Sequence, residues 1–183
     1  MFPLADQHDK ELIKLFRENR NDAFNLIVRK YQERLYWHIR KMVISHDDAD
    51  DVLQNTFIKA YQGLEKFRED ASLFTWLYRI ATNESLTFLK KERNRFFQPL
   101  GEYQQQLEGT LVSEPHFDGD ELQLKLQKAI IRLPEKQRLV FNMKYFDEMK
   151  YENMSAILGT SVGALKASYH HAMKKIELYL TED

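Results

Sequence analysis

Residues 151–176 constrain the fold of this chain more than any other stretch. They read Tyr151-Glu-Asn-Met-Ser-Ala-Ile-Leu-Gly159, then Thr160-Ser161, then Val162-Gly-Ala-Leu-Lys-Ala-Ser-Tyr-His-His171 and on to Ile176. That is a helical run, a glycine stop, a serine cap and a second helical run, the punctuation of a helix-turn-helix. Strand signals are weak elsewhere: there is no sustained period-two alternation and no Asn-Gly or Asp-Gly hairpin.

Helical periodicity fills most of the remaining chain. Leu12, Ile13, Leu15 and Phe16 suggest a short amphipathic helix. Asn21 can cap a long one whose stripe is Phe24, Ile27, Val28, Tyr31, Leu35, Ile39 and Met42. A break is expected at 43–46, after which Asp47 or Asp48 caps a helix with Val52, Leu53, Phe57, Ala60, Tyr61 and Leu64 inward. A third long helix runs from about Ser72 into the basic positions Lys90, Lys91, Arg93 and Arg95. Between Asn94 and Gly119 periodicity fails, with Gln98, Pro99, Gly101, Gln104, Gln105, Gln106, Gly109 and Pro115 as markers. Helices resume with Leu122, Leu126, Ala129, Ile130 and Leu133. Pro134 marks the end of one helix or the start of the next. The expected fold is all-α: two small helical domains, 1–94 and 120–183, joined by a long flexible linker, 95–119.

Of the 183 residues 43% are hydrophobic and 30% charged, enough for packed cores under a polar surface, and there is no cysteine. Disulfides and thiol chemistry are therefore excluded, and a reducing cytoplasm suits the chain. No apolar run reaches the roughly 20 residues that span a bilayer, and the N-terminus lacks the pattern of a secretory signal. The formal net charge of −1 is unusual for a protein that binds DNA unaided, because phosphate neutralisation supplies most of such affinity.

Two faces suit nucleic acid all the same. On a helix from Val162 to Lys175, capped by Ser161, the positions Val162, Leu165, Ala172 and Ile176 turn inward. Lys166, Ala167, Ser168, His170 and His171 then turn outward, where they can donate to bases or phosphates of a major groove. An ordinary helical hairpin with a solvated face has the same pattern. In the helix Ser72-Leu-Phe-Thr-Trp-Leu-Tyr-Arg-Ile-Ala-Thr-Asn83, aromatics, Asn83 and the cations Lys90 and Lys91 suit single strands. Trp76, Leu77, Ile80 and Phe88 also fit a core. The acids Asp47, Asp48, Asp50 and Asp51 beside His46 resemble a hard-cation cluster, but capping and dipole compensation explain them better. No metal site, cofactor motif or catalytic constellation is read from the sequence.

In combination these segments resemble a known family. Asp50-Asp51-Val-Leu-Gln54-Asn-Thr-Phe57-Ile-Lys-Ala60-Tyr, Phe67 and Phe74-Thr75-Trp76-Leu77-Tyr-Arg79-Ile-Ala81-Thr-Asn83 look like region 2 of an RNA polymerase sigma factor. Leu133-Pro134-Glu-Lys-Gln137-Arg138, Tyr151-Glu152 and Val162-Gly163 to Ile176 look like region 4. The two-domain layout is that of the extracytoplasmic-function (ECF) group of the sigma-70 superfamily. The resemblance implies a non-enzymatic alternative sigma factor, monomeric when free, whose partners are core RNA polymerase, promoter DNA and an anti-sigma factor. By it, Asp51, Gln54 and Asn55 dock on core polymerase. Phe67, Asp70, Ala71, Ser72 and Asn83 capture bases of the melted −10 element, and Lys90, Lys91 and Arg93 meet nearby phosphates. Lys166, Ala167, Ser168, His170 and His171 line the −35 major groove. Asn55 stands where an acid is usual, and Ser168, His170 and His171 where arginine or larger residues are frequent. A core polymerase that supplies non-specific affinity accounts for the neutral chain. The alternatives are a stand-alone helix-turn-helix regulator and a helical interaction module. Free of polymerase, the chain is expected to fold back with its DNA-reading faces partly hidden.

Overall fold

The computed structural model describes residues 3–95, 99–113 and 121–181, and among these it contains helices and no strands. The N-terminal half is a four-helix assembly: α1 (Pro3–Glu18), α2 (Arg20–Val43), α3 (His46–Leu64) and α4 (Leu73–Arg95). The C-terminal half holds α6 (Glu121–Ile131), α7 (Glu135–Tyr145), α8 (Tyr151–Leu158) and α9 (Val162–Thr181). Between them lies α5 (Leu100–Ser113).

The caps differ in detail from those the sequence suggests. Asn19, not Asn21, opens α2 by accepting from the Asp22 amide, and its Nδ2 donates to the Asp22 carboxylate at 2.6 Å. Ser45, not Asp47 or Asp48, caps α3, accepting from the Asp48 amide at 3.3 Å. Both acids fall in the first turn of α3, where negative charge complements the free amides. Ile44, at φ 71° and ψ −46°, closes α2 in a three-residue turn, the Ser45 amide donating to the Val43 carbonyl at 2.9 Å, and leads the chain into α3. Pro134 precedes α7 as its N-cap residue.

The expected stripe of α2 is largely buried: Ala23, Ile27, Tyr31, Leu35, Ile39 and Met42 pack inward together with Leu64, Leu73, Leu77 and Leu89. Gly63 lets the Trp76 indole approach α3, since a Cβ there would stand 3.1 Å from the ring. The aperiodic linker contains an ordered piece. Tyr103, Leu107 and Leu111, at four-residue steps on α5, are buried. Arg132 clamps the helix to the end of α6 through both oxygens of Glu108, at 2.6 and 3.3 Å. The linker markers Gln98, Pro115 and Gly119 lie outside the described residues.

The halves share one core. Met143, Met149, Met154, Ile157 and Leu165 belong to the same buried cluster as Met42 and Leu77, and the α5 stripe joins it. A smaller cluster of Ala129, Ile130, Leu133, Phe141, Ala172 and Ile176 unites α6, α7 and α9.

Candidate nucleic-acid interface

The helix-turn-helix forms as the sequence spells it. Gly159 ends α8 in the left-handed conformation, φ 64°, which a residue bearing Cβ adopts only with strain. Ser161 Oγ then accepts from the Ala164 amide at 3.3 Å and starts α9. Met154, Ile157, Leu165, Ala172 and Ile176 are buried and fix α9 against α8, α7 and α6. The opposite face is presented as expected: Lys166, Ala167, His170 and His171 are exposed and Ser168 is half-buried. Tyr169 stacks on Phe141 with centroids 5.9 Å apart, which sets the rotation of α9.

The second face centres on the α3–α4 connection and on α4. Asp70, Ala71 and Ser72 line a cleft of about 260 Å³ with Phe67, Glu69 and Leu73. Its far wall is α1, through Asp9, Lys10 and Ile13, a contribution the sequence did not reveal. Asp9 is anchored by Lys30 Nζ and Tyr31 OH, each at 2.6 Å. Glu69 bends the loop at φ 60° and is tethered to Arg17 at 3.3 Å. Ser72 also caps α4, since its Oγ accepts from the Thr75 amide at 3.1 Å. Phe67 is buried with its ring 5.0 Å from that of Trp76, so it supports the loop more than it presents a face to a ligand. Asn83, Lys90 and Lys91 are exposed along α4. Arg93 is not free, because its Nη1 pairs with Glu135 of α7 at 3.1 Å.

A third surface lies on α3. Asp51, Gln54 and Asn55 are exposed at three- and four-residue spacing, so they share its outward side. Beside Gln54 an apolar cleft of about 380 Å³ opens between α2 and α3, lined by Phe24, Val28, Phe57, Ile58 and Tyr61.

The C-terminal half rests on the α2–α4 seam. Lys41 donates to Asp147, in the α7–α8 turn. Burial pushes the Asp147 carboxyl up, but contact with His38 and Lys41 outweighs this and holds it below the ordinary carboxylate range. Arg79 Nη2 donates to the Ala156 carbonyl at 2.6 Å, and Asn142 Nδ2 to the Lys41 carbonyl at 3.2 Å. The two halves are docked on each other, but the expected hiding of the DNA-reading faces is not seen: Asn83, Lys90 and Lys91 and the outward side of α9 stay exposed, and of the candidate DNA-contacting residues only Arg93 is engaged by the other half.

Comparison with known proteins agrees with this architecture. Residues 27–95 match the model of sigma-70 region 2, and residues 123–176 match sigma-70 region 4. That order of regions is the layout of a two-domain sigma factor. The ECF RNA polymerase sigma-E factor of Salmonella typhimurium is 31% identical over 180 residues, covering 92% of both chains. The ECF sigma factor SigW of Bacillus subtilis is 29% identical, covering 94% of this chain and 97% of its own. The chain belongs to the ECF RNA polymerase sigma factors, and its function is that of an alternative sigma factor. Among solved structures, CnrH in complex with the cytosolic domain of CnrY shares the fold, with TM-score 0.68, 23% identity and 96% and 98% of the two chains covered. The sigma factor RpoE bound to the anti-sigma factor NepR from Bartonella quintana gives TM-score 0.66 at 22% identity, covering 87% and 98%. No helix of the described residues is long and apolar enough to cross a membrane.

Proposed function

We propose that this chain guides core RNA polymerase to promoters through three separate surfaces, and that it carries no catalysis of its own. The α3 surface, Asp51, Gln54 and Asn55 with the adjoining apolar cleft, docks on core polymerase. The loop cleft at Asp70, Ala71 and Ser72 takes an extruded base of the −10 strand, and Asn83, Lys90 and Lys91 follow that strand along α4. Trapping the base offsets an unpairing cost of about a few kcal/mol. Lys166, Ala167, Ser168, His170 and His171 read the −35 duplex. N-terminal domain 1–94 and C-terminal domain 120–183 are the working units, and the cytoplasm, where core polymerase resides, is their compartment. The likeness to sigma factors solved with CnrY and NepR supports an anti-sigma factor as a further partner.

One observation carries this reading: a formed helix-turn-helix with an open outward side stands in the same chain as a base-sized polar cleft at the foot of α4. Run-off transcription with bacterial core polymerase on a randomised promoter library tests it. The reading expects one enriched two-element motif. Lys166→Glu is expected to abolish selection at −35 alone, and Asn83→Ala at −10 alone. Core-independent binding to a palindromic duplex, with no transcription from any library member, would establish the stand-alone regulator instead.

A further inference from the structure

The ring of Tyr151 is shared by two cations that belong to different helices. Lys144, in the last turn of α7, places its Nζ 5.0 Å from the ring centroid, and Lys166, in the second turn of α9, places its Nζ 5.8 Å from it. Both distances lie within the reach over which an ammonium is drawn to an aromatic face. Tyr151 opens α8 and does not swing freely, because its half-buried ring packs on the main core. Tyr169, one turn beyond Lys166, flanks the same place: burial pushes its phenol up, and the neighbouring Tyr151 adds to the shift. The two lysines are not equivalent. Lys144 Nζ also donates to the Met149 carbonyl at 3.3 Å, which ties it to the α7–α8 turn. Lys166 is exposed, and among the described residues its ammonium is held by the Tyr151 ring and by no hydrogen bond or ion pair. A lysine without such a support spreads over many rotamers and loses that freedom when it binds. A ring that already holds the ammonium removes part of that loss before DNA arrives.

We propose that Tyr151 is a positioning residue for −35 recognition: its ring holds the Lys166 ammonium at the outward side of α9, where the duplex meets it. The proposal rests on assigning that side of α9 to the −35 element. Lys166 is the residue that touches DNA, and Tyr151 acts through it. Lys144, anchored beside the same ring, completes the arrangement, since a like charge there opposes any turn of Lys166 back toward α7. The contact joins the first helix of the helix-turn-helix to the second. The Gly159–Ser161 punctuation that fixes α9 against α8 therefore also fixes where this cation points. The Tyr151 hydroxyl has no part in it, because the attraction is between an ammonium and the face of a ring.

The test is a double-substitution cycle in the full chain assembled with bacterial core polymerase. The probe is a fluorescein-labelled duplex of a promoter that the holoenzyme transcribes, and its affinity is read by anisotropy. Tyr151→Leu, which keeps an apolar side chain on the core, should weaken binding about threefold, the size of one exposed cation–π contact. In a Lys166→Ala background the same substitution should change nothing. Tyr151→Phe, which returns the ring without its hydroxyl, should restore the affinity. Tyr151→Met, a second ringless variant, carries the same cycle if the leucine variant does not fold. A merely structural role would lower the affinity equally in both backgrounds, and that result would overturn the proposal. Equal losses in Tyr151→Leu and Tyr151→Phe would overturn it too, by placing the hydroxyl itself on DNA. Unchanged affinity of the ringless variants with Lys166 present would do the same. Lys166→Ala alone separates this proposal from the reading beneath it: if promoter affinity survives that substitution intact, the assignment of α9 to the −35 element has failed and the role of Tyr151 falls with it.

Discussion

Reading two promoter elements requires this chain to come apart, and the required travel follows from its size. A compact chain of its length has a radius of gyration of about 16 Å, so two surface points lie at most about 40 Å apart. Elements centred at −10 and −35 are separated by about 25 base pairs, or roughly 85 Å along straight B-form DNA. The docked halves cannot bridge that span, so α7, α8 and α9 must leave the α2–α4 seam together. The chain has no cysteine, so two introduced thiols label it cleanly. Lys14→Cys on α1 and Glu177→Cys on α9 are exposed sites away from the proposed interfaces. A dye pair whose half-transfer distance lies between these two lengths should transfer strongly in the free protein. Transfer should be nearly lost in holoenzyme on a promoter that it transcribes. Strong transfer retained in that transcribing complex would show that the two faces do not straddle separate elements, and the division of labour argued above would fail.

Leu165 is 1% exposed where α9 meets α8. Leu165→Ala should cost about 2–5 kcal/mol of stability and lower Tm by several degrees, with loss of −35 binding. A melting curve within a degree of the parent would show that α9 is not seated as described. The Asp147 carboxyl is held below its ordinary 3.8, so its contribution to docking is complete above that pH and is lost as pH falls through the lowered value. Transfer between the same dye pair should therefore stay constant from neutrality down to about pH 4 and fall below it, whereas Asp147→Asn should remove that acid step.

Helix identity was readable where the apolar stripe was long. The α2 stripe and the Gly159–Ser161 punctuation each leave a local signature. Caps were less certain, since Asn19, Asn21 and Asp22 all suit an N-terminus and only the geometry chooses Asn19. Helix α5 was hidden because Gly101, Gly109 and three consecutive glutamines dilute its stripe to Tyr103, Leu107 and Leu111. What makes these three apolar positions a helix face is the groove they fill, which is a tertiary fact. Outward positions of α9 followed from period alone. The α1 wall of the loop cleft did not, because Asp9 and Lys10 are distant in sequence and carry no motif. The pairing of Lys41 with Asp147 spans 106 positions, and no local pattern announces it.

That pairing bears on the charge of −1, which argued against DNA binding when the sequence stood alone. Four cations of the N-terminal half bear on this point. Lys90 and Lys91 are exposed and make no ion pair among the described residues, whereas Lys41 and Arg93 are neutralised by Asp147 and Glu135. Both acids belong to the C-terminal half. Undocking that half removes two carboxylates from α2 and from the end of α4 and so makes the surface of the N-terminal half more cationic without any change in composition. Because phosphate affinity grows with each cation left unneutralised, a docked chain attracts DNA weakly and an opened chain attracts it more strongly. The net charge is the same in both states, but in the docked state Asp147 and Glu135 of one half carry counter-charges for Lys41 and Arg93 of the other, and a core polymerase that holds the halves apart would leave those two cations free.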